Sequence, residues 1–225
     1  MVRSGNENSS ALDLRADRKR ALELVPVSDQ TAERLDRLVE LLLQWQAKIN
    51  LVARSTIPEI WTRHIADSLQ LIEIAPSAKV WIDLGSGGGF PGLAIACALA
   101  GQAEASVHLV EGNAKKAAFL REATQRLGIP AVVHPKRIEE FVAKFEGRAD
   151  VVTARALAPL RDLLELAAPL LKTGAKGLFP KGQDVAAELT EAAKCWTIDS
   201  ALVPSKTSPS ARIVVIHSAK RHDRH

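Results

Sequence analysis

Apolar and polar positions fall into two regimes along the chain. Up to about residue 75 they recur at helical spacing. Leu35, Leu38, Leu42, Trp45 and Ile49 step by 3, 4, 3 and 4 residues, which predicts an amphipathic helix capped by Ser28 or Asp29. The stripe lasts only two heptads, so a helix packed on its neighbours is favoured over a coiled-coil dimer. Upstream, Asp13–Leu24 predicts a short helix ended by Pro26, preceded by a loose polar arm over residues 1–12. Downstream, Pro58 opens a further helix whose inner face is Ile57, Trp61, Ile65, Leu69 and Ile72. Its other face carries Arg63, His64, Asp67 and Ser68. Spacings of three and four put His64 beside Asp67 and Ser68, and Arg63 beside Asp67. That group is either a surface network or the polar lining of a site mouth.

From Lys79 the pattern changes to short apolar runs alternating with amphipathic stretches. Strands are predicted at 79–84, 106–111, 131–134, 149–154, 176–180, 196–203 and 211–218. Helices are predicted at 91–100, 113–127, 137–145, 159–172 and 183–195. Such alternation implies right-handed crossovers and a mainly parallel sheet. The last two strands are joined by the polar loop Pro204–Ser210 with no helix between them, so they form an antiparallel hairpin. The chain divides into an N-terminal arm (1–27), a helical segment packed on the core (28–75), an α/β domain (76–220) and a basic tail (221–225) expected to be disordered.

Composition narrows the class. The chain has 225 residues, 47% of them hydrophobic and 25% charged, which suits a folded domain and not a wholly disordered chain. No apolar run approaches the roughly 20 residues of a membrane span, and Met1–Ser10 lacks a signal-peptide core, so a cytoplasmic enzyme is expected. A net charge of +4 permits an acidic partner without requiring one. Cys97 and Cys195 stand apart among alanines and read as buried apolar residues. No cysteine–histidine ligand cluster is present, so no metal site is assigned.

The chemistry concentrates at Lys79-Val-Trp-Ile-Asp-Leu-Gly-Ser-Gly-Gly-Gly-Phe-Pro-Gly92. An apolar strand carrying Asp83 meets five glycines and then an apolar helix. In open α/β sheets this turn lies where ligands bind. One register, Gly87 to Gly92, fits the dinucleotide fingerprint, but that match alone is weak, and Pro91 lacks an N–H that a phosphate would use. The other register is Asp83-x-Gly85-x-Gly87-x-Gly89. A carboxylate beside the turn suits a ligand with cationic groups, such as S-adenosylmethionine, better than a pyrophosphate. Glu111 ends the second strand, 26 residues after Gly85, where an acid accepts hydrogen bonds from ribose hydroxyls. That points to an adenosine and leaves the cofactor open; the terminal hairpin resembles the sheet of class I methyltransferases and not that of a dehydrogenase.

Asp83-Leu-Gly-Ser-Gly-Gly-Gly-Phe-Pro-Gly92 resembles the glycine motif of the bacterial small-subunit ribosomal RNA guanine-N7 methyltransferases, the RsmG or GidB family. Asn50-Leu51, Arg63-His64-Ile-Ala-Asp67-Ser68, Lys115-Lys116-x-x-Phe119-Leu120, Arg137-Ile138-Glu139-Glu140, Ala154-Arg155-Ala156 and Lys181-Gly182-Gln183 agree in order, over roughly residues 30–220. The resemblance implies a class I S-adenosylmethionine-dependent methyltransferase fold: a Rossmann-like, seven-stranded, mostly parallel sheet with a C-terminal antiparallel hairpin and N-terminal helices. It implies methyl transfer to a guanine N7 in 16S rRNA or the small ribosomal subunit, by a protein with no feature that demands a dimer. It implies that Gly85, Gly87 and Phe90 line the cofactor, that Ile138 and Glu139 flank the adenine, and that Arg155 belongs to the same pocket as Asp83 and Glu111.

The expected chemistry needs no general base, because guanine N7 carries an in-plane lone pair and no proton at neutral pH. Neither cysteine follows the fourth strand, where a cytosine-C5 methyltransferase places its nucleophile. The segment there, Thr153-Ala-Arg-Ala156, is not the Asn/Asp-Pro-Pro-aromatic run of amine methyltransferases. Arg63, His64, Arg155 and Lys181 are expected to position RNA, with Asp67 holding the polar group together and Arg137 and Lys115-Lys116 reaching phosphates. A methyltransferase with another substrate, a nicotinamide oxidoreductase and a non-catalytic ribosome-binding module are the competing readings.

Overall fold

The computed structural model describes residues 4–222. Three helical pieces precede the sheet: α1 (Ser4–Leu24), α2 (Asp29–Gln46) and α3 (Asp67–Ile74). Seven strands follow: β1 (Val80–Leu84), β2 (Ser106–Val110), β3 (Ala131–His134), β4 (Val151–Thr153), β5 (Lys176–Lys181), β6 (Trp196–Pro204) and β7 (Arg212–Arg221). Between them lie α4 (Gly92–Leu99), α5 (Ala114–Leu127), α6 (Ile138–Lys144), α7 (Leu160–Lys172) and α8 (Val185–Ala193).

The strand order is β3-β2-β1-β4-β5-β7-β6, with β7 antiparallel to both its neighbours and the other pairs parallel. Successive strand residues point to opposite faces. Trp81, Val107, Leu109 and Val151 accordingly join the core under α2, α3, α4 and α5, while Ile82, Leu84, Val110 and Val152 join the core with α6 and α7. The strand order reverses between β1 and β4, so the crevice lies above their carboxyl ends. This is the seven-stranded sheet with a terminal hairpin that the alternation pattern predicts. No helix among the described residues is long and apolar enough to cross a membrane.

Three local features differ from expectation. The loose arm over residues 1–12 is helical from Ser4; once Leu14–Leu24 is helical, each added residue brings a bond without repeating the nucleation cost. Residues 1–3 lie outside the described part. At the other end β7 runs to Arg221, whose guanidinium meets Glu165 and lies 5.8 Å from the Trp196 ring centre. Residues 223–225 of the expected tail lie outside the described part. The single helix expected from Pro58 is three windings: a 3-10 turn over Arg54–Glu59, a π-helical segment over Trp61–Ala66, then α3. Buried Asp17 on α1 sets the start of the π segment. Its carboxylate accepts the Trp61 and Thr62 N–H groups at 2.8 and 3.2 Å, and the Thr62 hydroxyl. A π winding has more residues per turn than an α-helix, so positions three apart no longer share a face.

Candidate active site

The glycine turn is tied to the sheet before any ligand is considered. The Gly85 and Ser86 N–H groups donate to the Val110 carbonyl at 2.9 and 3.0 Å. Glu111 accepts the Gly87 N–H at 2.8 Å with one oxygen and the Asn113 N–H at 2.7 Å with the other. Gly85 has φ +71°, a conformation that disfavours a side chain. Gly88 is a glycine for another reason: a Cβ there would come within 2.7 Å of the Leu51 carbonyl oxygen. The Leu51–Ala53 segment therefore presses directly on the turn. Buried Gln46 at the end of α2 holds it there, accepting from the Leu51 and Val52 N–H groups at 2.8 and 3.0 Å and donating to the Val52 carbonyl at 2.9 Å.

Above the turn opens a cleft of about 750 Å³. Gly85, Gly87, Phe90, Glu111, Ile138, Glu139 and Arg155 line it, together with Arg137. Arg137 thus lies beside the expected adenine-flanking pair. Asp83 is a correction: it does not line the cleft. It is 1% exposed beneath the turn, where one carboxylate oxygen accepts the Gly92 N–H at 3.2 Å and the other the Thr153 hydroxyl at 3.1 Å. The sheet register dictates this, since Asp83 on β1 is directly opposite Thr153 on β4. Burial raises the Asp83 carboxyl to about 6, against the pull of its hydrogen bonds.

At the cleft's edge is a network built on Arg155, at the end of β4. Its guanidinium donates to His64 Nδ1 at 2.7 Å and to the Arg63 carbonyl at 3.0 Å, and lies 3.4 Å from an Asp67 carboxylate oxygen. It also faces the Phe90 ring at 5.6 Å, and His64 stacks on the same ring at 5.1 Å. Arg155 therefore has a structural acid as its anionic partner. An arginine can only donate, so His64 Nδ1 accepts and the proton is on Nε2, 2.8 Å from the Thr56 hydroxyl. Burial, with Arg155 and Arg63 nearby, lowers His64 to about 3. Asp67 also accepts from Gln70 at 2.9 Å and Thr207 at 2.8 Å, which ties the Pro204–Ser210 loop to α3.

The expected contacts of His64 and Arg63 with Asp67 are replaced by these: Arg155 and Thr56 engage His64, and Arg155, Gln70 and Thr207 engage Asp67. Lys181 is a second correction. Its ammonium donates to the Ala158 carbonyl and to Glu188, both at 2.7 Å, with only 9% of the side chain exposed. A buried cation needs such partners, and this one is not free to meet a phosphate. Lys181 and Arg63 instead line a second cavity of about 870 Å³, bounded also by Asp67, Gln183 and the Thr207–Ala211 stretch. Val52, Ala53 and Leu157 line the first cleft without having been singled out, and Leu51 and Ser86 stood only within the motifs of the family resemblance.

Comparisons with known proteins agree with this architecture. A family model described as "GidB: rRNA small subunit methyltransferase G" matches residues 31–214. A protein of Bradyrhizobium sp. strain BTAi1 named "Ribosomal RNA small subunit methyltransferase G" is 59% identical over 208 residues, 92% of this chain and 94% of its own length. One of the same name from Rhodopseudomonas palustris strain BisB18 is 52% identical over 223 residues, covering 99% and 95%. Among solved structures, the O-methyltransferase from Bacillus cereus in complex with SAH superposes with TM-score 0.59 at 13% identity, covering 90% of this chain and 97% of that one. TomG from Streptomyces achromogenes gives 0.58 at 13%, covering 96% and 100%. Those two likenesses establish the class I methyltransferase sheet. With four-fifths of its length matched by one family model and relatives above half identity across nearly all of it, the chain belongs to the GidB family of small-subunit rRNA methyltransferases.

Proposed function

We propose that the protein methylates N7 of a guanine in small-subunit ribosomal RNA, using S-adenosylmethionine and acting as a single chain. Membership of a family described as small-subunit rRNA methyltransferases is the observation that carries the reading.

The residues of the cleft fit the cofactor. Asp83 occupies the Gly92 N–H at the start of α4, so the helix terminus that would bind a pyrophosphate is already taken by an anion. Glu111 spends one acceptor site on each oxygen and keeps lone pairs for ribose hydroxyls, since a carboxylate offers about four. Ile138 supplies an apolar wall and Glu139 a polar edge for an adenine, and Phe90 closes the side toward His64. When bound, S-adenosylmethionine supplies an electrophilic methyl group on its sulfonium.

The chain's own groups orient and enclose; none takes a proton. His64 is neutral and both its ring nitrogens are engaged, by Arg155 and Thr56. Cys97 is buried in α4, and burial pushes its thiol up to about 12. An N7 nucleophile asks nothing of either residue. Holding the base in line and excluding water supplies the rate, and such orientation is worth roughly 7–11 kcal/mol. Arg63 at the rim of the second cavity and Arg137 beside Glu139 are the cations that meet RNA phosphates in this reading, while Asp67 and Arg155 hold the rim between them.

Calorimetry with S-adenosylhomocysteine and with NADH separates this proposal from an oxidoreductase. Binding of the first alone is expected; binding of NADH alone would sink the cofactor assignment. Radiolabelled methyl transfer to small-subunit RNA, compared with transfer to protein fractions, tests the substrate.

A further inference from the structure

Four residues belong to both cavities: His64, Arg155, Ala156 and Leu157. Any group that passes between the cofactor cleft and the second cavity does so across them. His64 and Arg155 are committed to each other, to Thr56 and to Asp67. Ala156 has φ +52°, a left-handed conformation uncommon outside glycine that tends to be retained where function requires it. Here it presents the next side chain.

That side chain is Leu157. It is 36% exposed, one of three large hydrophobic residues left so open among the described residues. The other two, Val132 and Leu202, are on the edge strands β3 and β6; Leu157 lines both the cofactor cleft and the second cavity. It also lies against the glycine turn, with Cδ1 2.8 Å from where a Cβ on Gly85 would stand. A strained backbone thus displays an apolar group at the boundary between the two chambers.

We propose that Leu157 is a positioning residue for the target base, packing against the purine face so that its N7 edge points into the cleft over Gly85. This rests on the RNA methyltransferase reading above. A base drawn out of an RNA loop loses its stacking neighbours, and an apolar surface in the pocket replaces them. Leu157 is the exposed apolar side chain at the junction, and its neighbours Arg155 and His64 are already packed on Phe90.

The test compares wild type, Leu157→Ala and Leu157→Met by steady-state methylation of small-subunit RNA and by calorimetric titration with S-adenosylhomocysteine. Leu157→Ala is expected to lower kcat/KM for RNA about tenfold, in keeping with the loss of one face contact to a base. Its affinity for S-adenosylhomocysteine stays within about twofold and its melting temperature is unchanged. Leu157→Met, apolar and of similar volume, restores most of the loss. A wild-type kcat/KM in Leu157→Ala overturns the inference alone. So does a loss matched by an equal loss of S-adenosylhomocysteine affinity, which would place Leu157 in the cofactor wall only. No methyl transfer by the wild type overturns the functional reading and this inference with it.

Discussion

His64 Nδ1 accepts a hydrogen bond from the Arg155 guanidinium at 2.7 Å, and this contact decides which nitrogen of His64 carries the proton. Burial and two nearby arginines lower the imidazole to about 3. The ring should therefore remain the neutral Nε2–H tautomer through the range in which a free histidine titrates. Nitrogen-15 NMR of the histidine rings checks this. In Arg155→Ala one of the charges is gone, so the His64 midpoint moves up while burial still holds it below 6.5. A His64 midpoint near 6.5 in the wild type would contradict the network.

Asp83 and His64 drive acid stability in opposite directions. The folded pKa of His64 lies below its ordinary value. The unfolded chain therefore takes up the extra proton, and this group removes stability as pH falls from about 6.5 toward 3. Asp83 is raised from 3.8 to about 6. Its contribution is fully present below 3.8 and is lost as pH rises through 6. In the wild type the two partly offset each other between pH 6 and 4. Asp83→Asn removes the second, so its stability should fall more steeply on acidification through that window. Urea denaturation at several pH values measures the slopes; parallel profiles would count against a raised Asp83.

Gln46 is remote from the glycine turn in sequence, yet its amide holds the Leu51–Ala53 wall against Gly88. Gln46→Ala leaves two N–H groups and a carbonyl without partners, a loss of about 1–3 kcal/mol of stability. It should also weaken S-adenosylhomocysteine binding about tenfold. Gln46→Glu keeps both acceptor contacts and should lose less. Gly88→Ala needs no unusual backbone, so any loss of affinity it shows reports the Leu51 contact. Unchanged affinity in both Gln46→Ala and Gly88→Ala would remove this segment from the cofactor site.

Lys181 joins the end of β5 to the Ala158 carbonyl and to Glu188, which also accepts the Leu160 N–H. It thereby fixes the loop that carries Leu157. Lys181→Ala strands Glu188 and should cost about 2–4 kcal/mol, near the range for breaking a buried pair. Lys181→Met with Glu188→Gln should recover part of that. A Lys181→Ala protein of wild-type stability but poor RNA affinity would restore the phosphate-binding role expected from sequence.

The sheet was legible because its signals are local. Most strands are short apolar runs bounded by glycine or polar residues, and the Pro204–Ser210 loop is too short for a crossover helix. The glycine turn at Gly85 and the acid Glu111 were legible because a turn and a strand end place them, whereas Phe90 and Ile138 came from family resemblance. The misread parts depend on contacts distant in sequence. Asp17, on a helix that periodicity leaves apart from the site, winds Trp61–Ala66 as a π segment. That winding upsets the three-residue spacing used to pair His64 with Asp67, and Asp67 is taken instead by Arg155, Gln70 and Thr207. Lys181 looked free because its partners Ala158 and Glu188 come from two other elements. Asp83 looked like a ligand contact because Thr153 is 70 residues away in sequence. Leu157 carried no signal at all, since an exposed leucine is unremarkable until the cavities around it are known.

The most direct measurement is methyl transfer from isotopically labelled S-adenosylmethionine to small-subunit RNA, with mass spectrometry of the digested RNA to identify and locate the modified nucleoside. The account predicts one labelled 7-methylguanosine at a single site, with no label in protein. Label on a base carbon, an exocyclic amine or a ribose, or label in protein alone, would contradict it.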